Sequence, residues 1–126
     1  MMKKRYVAAL SMLAGIILGG YAVPMLHAEE GTPAYLVIVN ELVKPDEYKA
    51  WLPEASGYIK SHGGTYLAAG AGEKIEGTLP TGRCAVIKFD NMEALKKWNS
   101  SPEWQAIRKK ADGFANFNFV AVPGAK

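Results

Sequence analysis

The chain has 126 residues, 49% of them hydrophobic, with 15 basic and 12 acidic residues. Lys3, Lys4 and Arg5 lie at the N-terminus, and without these three the remainder is balanced at 12 against 12. Nucleic-acid binding needs a clustered basic surface, so this balance removes the main support for it, and no nucleic-acid partner is predicted. Cys84 is the only cysteine, which excludes an intramolecular disulfide.

Residues 1–28 have the pattern of an export signal. A cationic start precedes a mostly apolar stretch from Tyr6 to Leu18, and Ala28 is a small residue suited to cleavage. The apolar stretch is shorter than the roughly 20 residues that a membrane-spanning helix needs. The sequence therefore predicts a periplasmic or secreted protein of a bacterial envelope. The alternative is an uncleaved membrane anchor, which would be the chain's only contact with a membrane.

Residues 29–33 form a short polar lead-in that we expect to be flexible. The folded domain is predicted over residues 34–124 and begins with a strand from Ala34 to about Leu42. Pro45 and the acids after it predict a helix start, because proline and negative charge suit a helix N-terminus. The apolar stripe of this helix is predicted at Tyr48, Trp51, Leu52, Ala55, Ile59 and His62. We expect Pro53 to bend or split the helix and Gly63-Gly64 to end it.

Two strands are predicted next. The first spans Thr65 to Ala69, and the glycines of Gly70-Ala71-Gly72 indicate a bulge before pairing resumes near Lys74-Ile75. After a turn that contains Pro80, the other strand spans Arg83 to Phe89.

The last third of the chain predicts a helix in two segments and a strand. Asp90 and Glu93 have the spacing of a capping box, and Pro102 restarts the chain as a further helical segment. Inward positions of the two segments are predicted at Met92, Leu95, Trp98, Trp104, Ile107 and Ala111. Gly113 ends the second segment, and the last strand is predicted from Phe117 to Val122.

The order strand, helix, strand, strand, helix, strand predicts an α+β fold. It is the ferredoxin-like βαββαβ arrangement, an antiparallel sheet with its helices on one face. Tyr35 to Asn40, Cys84 to Phe89 and Phe117 to Val122 are apolar at alternating positions on both faces. Because a bare apolar sheet is normally an interface, the sequence predicts a homodimer of the dimeric α/β barrel type.

Several short motifs run through the chain in a fixed order. They are Pro45-Asp46-Glu47-Tyr48, His62-Gly63-Gly64 with Tyr66-Leu67-Ala68, Glu76-Gly77, Val86-Ile87-Lys88-Phe89-Asp90, Ala94 with Trp98, and Ser101-Pro102-Glu103-Trp104-Gln105. This series resembles the domain of unknown function 1330 family, in the dimeric α/β barrel superfamily, from about Ala34 to Gly124. The resemblance implies the fold and the dimer, but no established reaction.

The chain departs from that family pattern at two places. The family's second strand often ends in Arg-Gly-Gly where this chain has Ala69-Gly70-Ala71, and an arginine is common near Ala111. If those arginines bind an anion in relatives, the departure implies a less charged ligand or none. Arg83 and Arg108 are the remaining cationic candidates.

His62 is the candidate catalytic residue, because imidazole titrates near neutrality and this one lies at a helix end beside a glycine turn. The alternative is a helix C-terminal histidine that interacts with the helix dipole. His27 belongs to the predicted signal, so the processed chain would have one histidine, which excludes a multi-histidine metal site. No metal and no cofactor are predicted.

Candidate ligand-binding residues fall into aromatic and polar groups. The aromatic group could line a pocket between helices and sheet, where the resembled superfamily commonly binds ligands, although core packing would also explain it. The polar group contains an amide on an apolar strand, which needs a partner or a ligand when buried, and two arginines. The candidates are Asn40, Tyr48, Tyr66, Arg83, Trp98, Trp104 and Arg108.

Three functions remain open from the sequence. The first is an exported homodimer that binds a small aromatic or carboxylated molecule in a cleft between sheet and helices. The second is a cofactor-independent isomerase, lyase or monooxygenase that uses His62, with Arg83 or Arg108 stabilising an oxyanion. The third is a non-catalytic envelope protein without a ligand.

Overall fold

The computed structural model describes residues 31–125. Its strands and helices follow one another as β1 (Ala34–Leu42), α1 (Pro45–Ser61), β2 (Thr65–Gly70), β3 (Arg83–Phe89), α2 (Met92–Ser100), α3 (Pro102–Lys109), β4 (Ala115–Asn116) and β5 (Phe119–Pro123). The predicted order is confirmed, with the second helix and the last strand each in two pieces. The predicted export signal lies outside the described residues.

The strands form one antiparallel sheet in the order β2, β3, β1, β4, and β5 also pairs with β1. β1 is central, so Leu36 lies opposite Ile87 on one side and opposite Ala121 on the other. This is the predicted ferredoxin-like α+β fold. No helix among residues 31–125 is long and apolar enough to cross a membrane.

Alternate residues of β1 and β3 point towards the helices and form the core. Leu36, Ile38, Ile87 and Phe89 are each at most 7% exposed. They pack in one cluster with the helical residues Tyr48, Trp51, Ala55, Ile59, Leu95, Trp98 and Trp104. Residues of all three helices thus bury their apolar stripes against the same face of the sheet.

The opposite face of the sheet is apolar but is not covered by the helices. Val37 of β1 lies opposite both Val86 and Val120, which makes a valine row across three strands. Val120 is 56% exposed and Val122 is 44% exposed. The sequence prediction of an uncovered apolar face, here called the open face, is therefore confirmed.

Two predictions about β2 are wrong. The bulge lies between Tyr66 and Ala68, not after Gly70. Pairing does not resume near Lys74-Ile75, because these residues lie in the irregular segment 71–82. Ile75 is 92% exposed, so this segment has no apolar face against the core that would favour a strand.

The starts and interruptions of the helices also differ from prediction. α1 continues through Pro53. Proline has no N–H, so the carbonyl of Lys49 loses its helical hydrogen-bond donor. Because Pro53 and Lys49 are both exposed, water can bond this carbonyl instead. The cap of α2 is Asn91 rather than Asp90: its Oδ1 accepts a hydrogen bond from the N–H of Ala94 at 2.8 Å. The predicted capping box is therefore absent, because the residue three positions after the cap is Ala94.

Candidate functional site

A pocket lies between α1 and the sheet. It is lined mainly by aromatic and aliphatic side chains: Ile38, Asn40, Tyr48, Trp51, Leu52, Ala55, Ile59, Tyr66, Arg83, Ala85, Trp104, Phe117 and Phe119. The space that water can reach inside it is about 20 Å³, which is room for about one water molecule. The pocket is therefore narrow, with few polar groups among its walls.

The fold brings five of the predicted ligand-binding residues to this pocket, namely Asn40, Tyr48, Tyr66, Arg83 and Trp104. Asn40 and Arg83 lie directly opposite each other across β1 and β3. Tyr48 lies in the first turns of α1, is 4% exposed and bonds Asn40. The side chains of two strands and a helix thus meet at one polar end of an apolar pocket.

Asn40 is fully buried and its amide is oriented by the backbone. Its Oδ1 accepts a hydrogen bond from the N–H of Asn118 at 2.9 Å, and its Nδ2 donates to the hydroxyl oxygen of Tyr48 at 3.2 Å. Because a backbone N–H can only donate, the amide oxygen must face Asn118 and the amide nitrogen must face Tyr48. The buried amide is satisfied by protein groups.

Burial raises the pKa of Tyr48 above its ordinary value of 10.0. The hydrogen bond from Asn40 and the positive charges of Arg83 and Arg108 lower this pKa, but by less than burial raises it. Tyr48 is consequently a neutral phenol at neutral pH, able to donate its hydroxyl hydrogen.

The two candidate arginines have different surroundings. Arg108 donates to Asp112 in an ion pair of 2.9 Å, and its guanidinium carbon lies 3.4 Å from the centre of the Phe117 ring. Arg83 is half-buried in the pocket wall. Among residues 31–125 no carboxylate pairs with it. Arg108 does not line the pocket itself, and it contacts the pocket through Phe117.

Trp98 lies in the core beside the pocket rather than in its wall. It is 3% exposed and packs between Phe89 and Trp104, with ring centres 5.4 Å and 4.6 Å away. Its indole N–H has no hydrogen-bond partner among the described residues. Trp98 therefore packs in the core, and its role in ligand binding stays a prediction.

His62 follows the last residue of α1 and is exposed. Its ring stacks on Tyr58 with centres 3.9 Å apart, and its Nδ1 lies 2.9 Å from the carbonyl oxygen of Tyr58 and 2.8 Å from the Ser61 hydroxyl. These are contacts of a histidine with the C-terminal turn of its own helix. His62 does not line the pocket, and its catalytic role stays a prediction.

Sequence reasoning missed three aromatic residues of the pocket, Trp51, Phe117 and Phe119. Trp51 lies one turn after Tyr48, and its indole N–H donates to the carbonyl of Ile107 at 2.9 Å. Its helical spacing from Tyr48 was the available signal. Phe117 gave no such signal, because it was assigned to a strand, whereas residues 117–118 lie between β4 and β5. Its ring centre is 5.8 Å from that of Trp51 and 6.1 Å from that of Tyr48.

Among residues 31–125, no group of three or more histidine, cysteine, aspartate or glutamate side chains is placed to hold a metal ion. The lining of the pocket contains no such side chain at all. Hydrogen bonding and aromatic contact are therefore the interactions that these walls offer.

Residues 33–125 match the family described as Domain of unknown function (DUF1330). The chain belongs to this family. The match covers nearly the whole described part of the DUF1330 chain, including every residue of the pocket, and confirms the resemblance seen in its motifs. No curated protein matches the chain.

Solved structures similar to this DUF1330 chain share its fold at low sequence identity. SnoaB, a cofactor-independent oxygenase from Streptomyces nogalater, has a TM-score of 0.57 at 7% identity, covering 75% of this chain and 95% of that one. RPA0582, a protein of unknown function from Rhodopseudomonas palustris, has a TM-score of 0.57 at 11% identity, with 85% and 96% covered. A dimeric ferredoxin-like protein of unknown function from Thermobifida fusca YX has a TM-score of 0.54 at 18% identity, and the match covers 76% of this chain and 92% of that one.

Proposed function

We propose that this DUF1330 protein is an exported homodimer that binds a small aromatic or carboxylated molecule in the pocket between α1 and the sheet. One observation carries the proposal: aromatic walls surround a short row of polar groups, Asn40, Tyr48 and Arg83, at one end. Ligand sites are typically apolar pockets with a few convergent polar groups that fix orientation.

A ring-sized ligand requires the pocket to open, because water can reach only about 20 Å³ inside it. Phe117 is the wall residue best placed to move. It is half-buried and lies in the link between β4 and β5, outside the regular pairing of the sheet. Displacement of its ring would also remove the stacking contact with Arg108.

The homodimer is supported by the open face. Val37, Val86 and Val120 form a continuous apolar row there, and a contiguous exposed apolar surface usually marks an interaction site. The similar protein from Thermobifida fusca YX is described as dimeric. We propose that two copies cover each other's open faces, which leaves the pocket on the opposite side of each sheet.

Export is supported by the composition of residues 1–28, with their cationic start and apolar stretch. The test is the mass of the protein recovered from the producing cell. Cleavage after Ala28 predicts an N-terminus at Glu29, whereas an anchored protein would keep Met1 or Met2.

The two other functions have less support. SnoaB is described as a cofactor-independent oxygenase, but the proposed proton shuttle of this chain, His62, is exposed and outside the pocket. A non-catalytic envelope protein without a ligand is the function left if the pocket binds nothing.

The three tryptophans allow a direct test of binding. Trp51 and Trp104 line the pocket, whereas Trp98 does not. In ¹⁵N-labelled protein each indole N–H gives its own NMR signal, and a panel of small aromatic acids, aromatic alcohols and aliphatic acids can be titrated against them. A pocket ligand should shift the Trp51 signal more than the Trp98 signal. If no panel member moves the Trp51 signal, the proposed function is wrong.

A further inference from the structure

We infer that the pocket selects aromatic molecules whose polar end is an anion, with Arg83 and the Tyr48 hydroxyl as the two groups that bind this end. The inference rests on the proposed function and deepens it by naming the chemistry of the ligand. It follows from the charge and the hydrogen-bond donors of the pocket wall.

The charge of the pocket wall is not compensated from within. Arg83 is the one ionised side chain among the lining residues, which include no aspartate or glutamate. The ion pairs of residues 31–125 do not involve Arg83. A cation held at an apolar wall without a counter-ion favours an anionic ligand, because the low local dielectric strengthens their attraction.

The hydrogen-bond donors of Tyr48 and Asn40 point to the same ligand class. Asn40 donates to the hydroxyl oxygen of Tyr48, so the hydroxyl hydrogen of Tyr48 is directed elsewhere. Among residues 31–125 Asn40 is the one hydrogen-bond partner of that hydroxyl. The free hydrogen therefore requires an acceptor, and a carboxylate oxygen in the pocket would supply one.

Tyr48 and Arg83 line the same pocket. Arg83 lies opposite Asn40 across two strands, and Asn40 bonds Tyr48. The positive charge of Arg83 lowers the pKa of Tyr48. Arg108 is the less suitable anion-binding group, since its charge already pairs with Asp112.

Three probes of nearly equal shape separate the possibilities: sodium benzoate offers only acceptors, benzamidine offers only donors and a positive charge, and benzamide offers both. With the full chain and the Trp51 indole signal as readout, benzoate should bind about tenfold or more tightly than benzamidine, with benzamide between them. This comparison needs no variant, so it does not depend on the folding of one.

Variants then assign the selectivity to residues. Tyr48→Phe and Arg83→Gln should each weaken the binding of benzoate by about tenfold. The affinity for benzamidine should change little in both variants. Tyr35→Phe and Lys88→Gln make comparable chemical changes at two residues that do not line the pocket, and both should bind benzoate as the unaltered protein does.

The outcomes distinguish this inference from the proposed function. If benzamidine binds as well as benzoate, or if Tyr48→Phe and Arg83→Gln leave benzoate binding unchanged, the anion selectivity is wrong while the pocket remains a binding site. If none of the three probes shifts the Trp51 signal while another member of the panel does, the anion selectivity is wrong and the proposed function stands; if no member of the panel shifts it, both are wrong.

Discussion

The Oδ1 atom of Asn40 accepts the backbone N–H of Asn118 at 2.9 Å, and this bond lies where the last strand is broken. Asn118 returns a second contact, because its own Nδ2 donates to the carbonyl of Val39 at 3.0 Å. The backbone N–H of Val39 also donates to the carbonyl of Asn118 at 2.9 Å, so one backbone bond remains at the break beside the two side-chain bonds. The Asn40 amide that accepts from Asn118 also donates to the Tyr48 hydroxyl, so it connects the break in the strand to the polar groups of the pocket.

Removing the Asn40 amide should therefore be costly. Asn40→Ala leaves the Asn118 N–H without its acceptor and the buried Tyr48 hydroxyl without its donor, and we expect a loss of about 2–3 kcal/mol in the free energy of unfolding, measured by urea denaturation. Asn116→Ala is the matched control, because Asn116 is exposed and its amide donates to Glu41 at the surface. This variant should lose no more than about 0.5 kcal/mol in the free energy of unfolding. Equal losses in the two variants would contradict the role given to Asn40.

The raised pKa of Tyr48 predicts a dependence of stability on alkaline pH. Since the folded-state pKa lies above the ordinary 10.0, the neutral phenol is favoured in the folded protein. Its contribution to stability is fully present below about pH 10 and is lost as the pH rises through the folded-state pKa. Urea denaturation at about pH 9 and about pH 11 should show a larger loss of stability in the unaltered protein than in Tyr48→Phe. A Tyr48→Phe variant that loses as much stability between these pH values as the unaltered protein would disprove the prediction.

Two glycines near the end of α1 should respond oppositely to alanine. At Gly64 a Cβ would lie 2.5 Å from Cγ2 of Ile59 and 3.0 Å from Cγ2 of Ile87, so Gly64→Ala should lose about 1–3 kcal/mol of stability through overpacking. Gly57 is in the helix with no atom within 4 Å of such a Cβ, so Gly57→Ala should gain about 0.5–1 kcal/mol. Thermal unfolding of the pair checks both signs, and a stabilised Gly64→Ala variant would show that the helix end packs less tightly than described.

Ser101 joins α2 to α3 and should be more sensitive than its neighbour. Its hydroxyl donates to the carbonyl of Trp98 at 2.8 Å and accepts from the N–H of Trp104 at 3.2 Å, and the Tyr58 hydroxyl lies 3.1 Å away. We expect Ser101→Ala to cost about 1–2 kcal/mol, as for a lost helix cap. Ser100→Ala removes an exposed hydroxyl and should cost less than about 0.5 kcal/mol. The two values come from chemical denaturation, and a cost at Ser100 that matches Ser101 would refute the capping role.

The proposed dimer predicts a clear difference between two lysine substitutions. Val120 lies on the open face and is 56% exposed. Val43 lies just beyond the end of β1 and is 54% exposed. Each can accept a lysine in the single subunit, but Val120→Lys would place an unpaired charge inside the interface. Sedimentation equilibrium should give a monomer for Val120→Lys and a dimer for Val43→Lys and the unaltered protein. An unaltered protein that sediments as a monomer at micromolar concentration would exclude the dimer.

Local chemistry was sufficient for the elements of this fold and for part of the site. The helix start at Pro45, the restart at Pro102 and the glycine end of α1 follow from backbone constraints that act within a few residues. The stripe of Tyr48, Ala55 and Ile59 follows from helical periodicity. Five of the seven predicted ligand-binding residues line the pocket, because aromatic residues on an inward stripe and polar residues at strand ends converge when helix packs on sheet.

The cap of α2 was ambiguous at the level of local chemistry. Asp90 and Asn91 are both preferred N-cap residues, so the motif alone did not choose between them, and the structure places the cap at Asn91.

By itself, the sequence determined the order of elements, the apolar open face and the balance of charge, since each of these follows from local backbone preference and residue type. Only the tertiary structure decided that Asn40 bonds Tyr48 and Asn118, that Arg83 lacks a partner among residues 31–125 while Arg108 has one in Asp112, and that His62 lies outside the pocket. Most of these relationships join residues on different elements, and all depend on where the folded elements place the side chains. Hydrogen bonds and charge pairs act over a few ångströms, so they exist only once the packed core has fixed those positions.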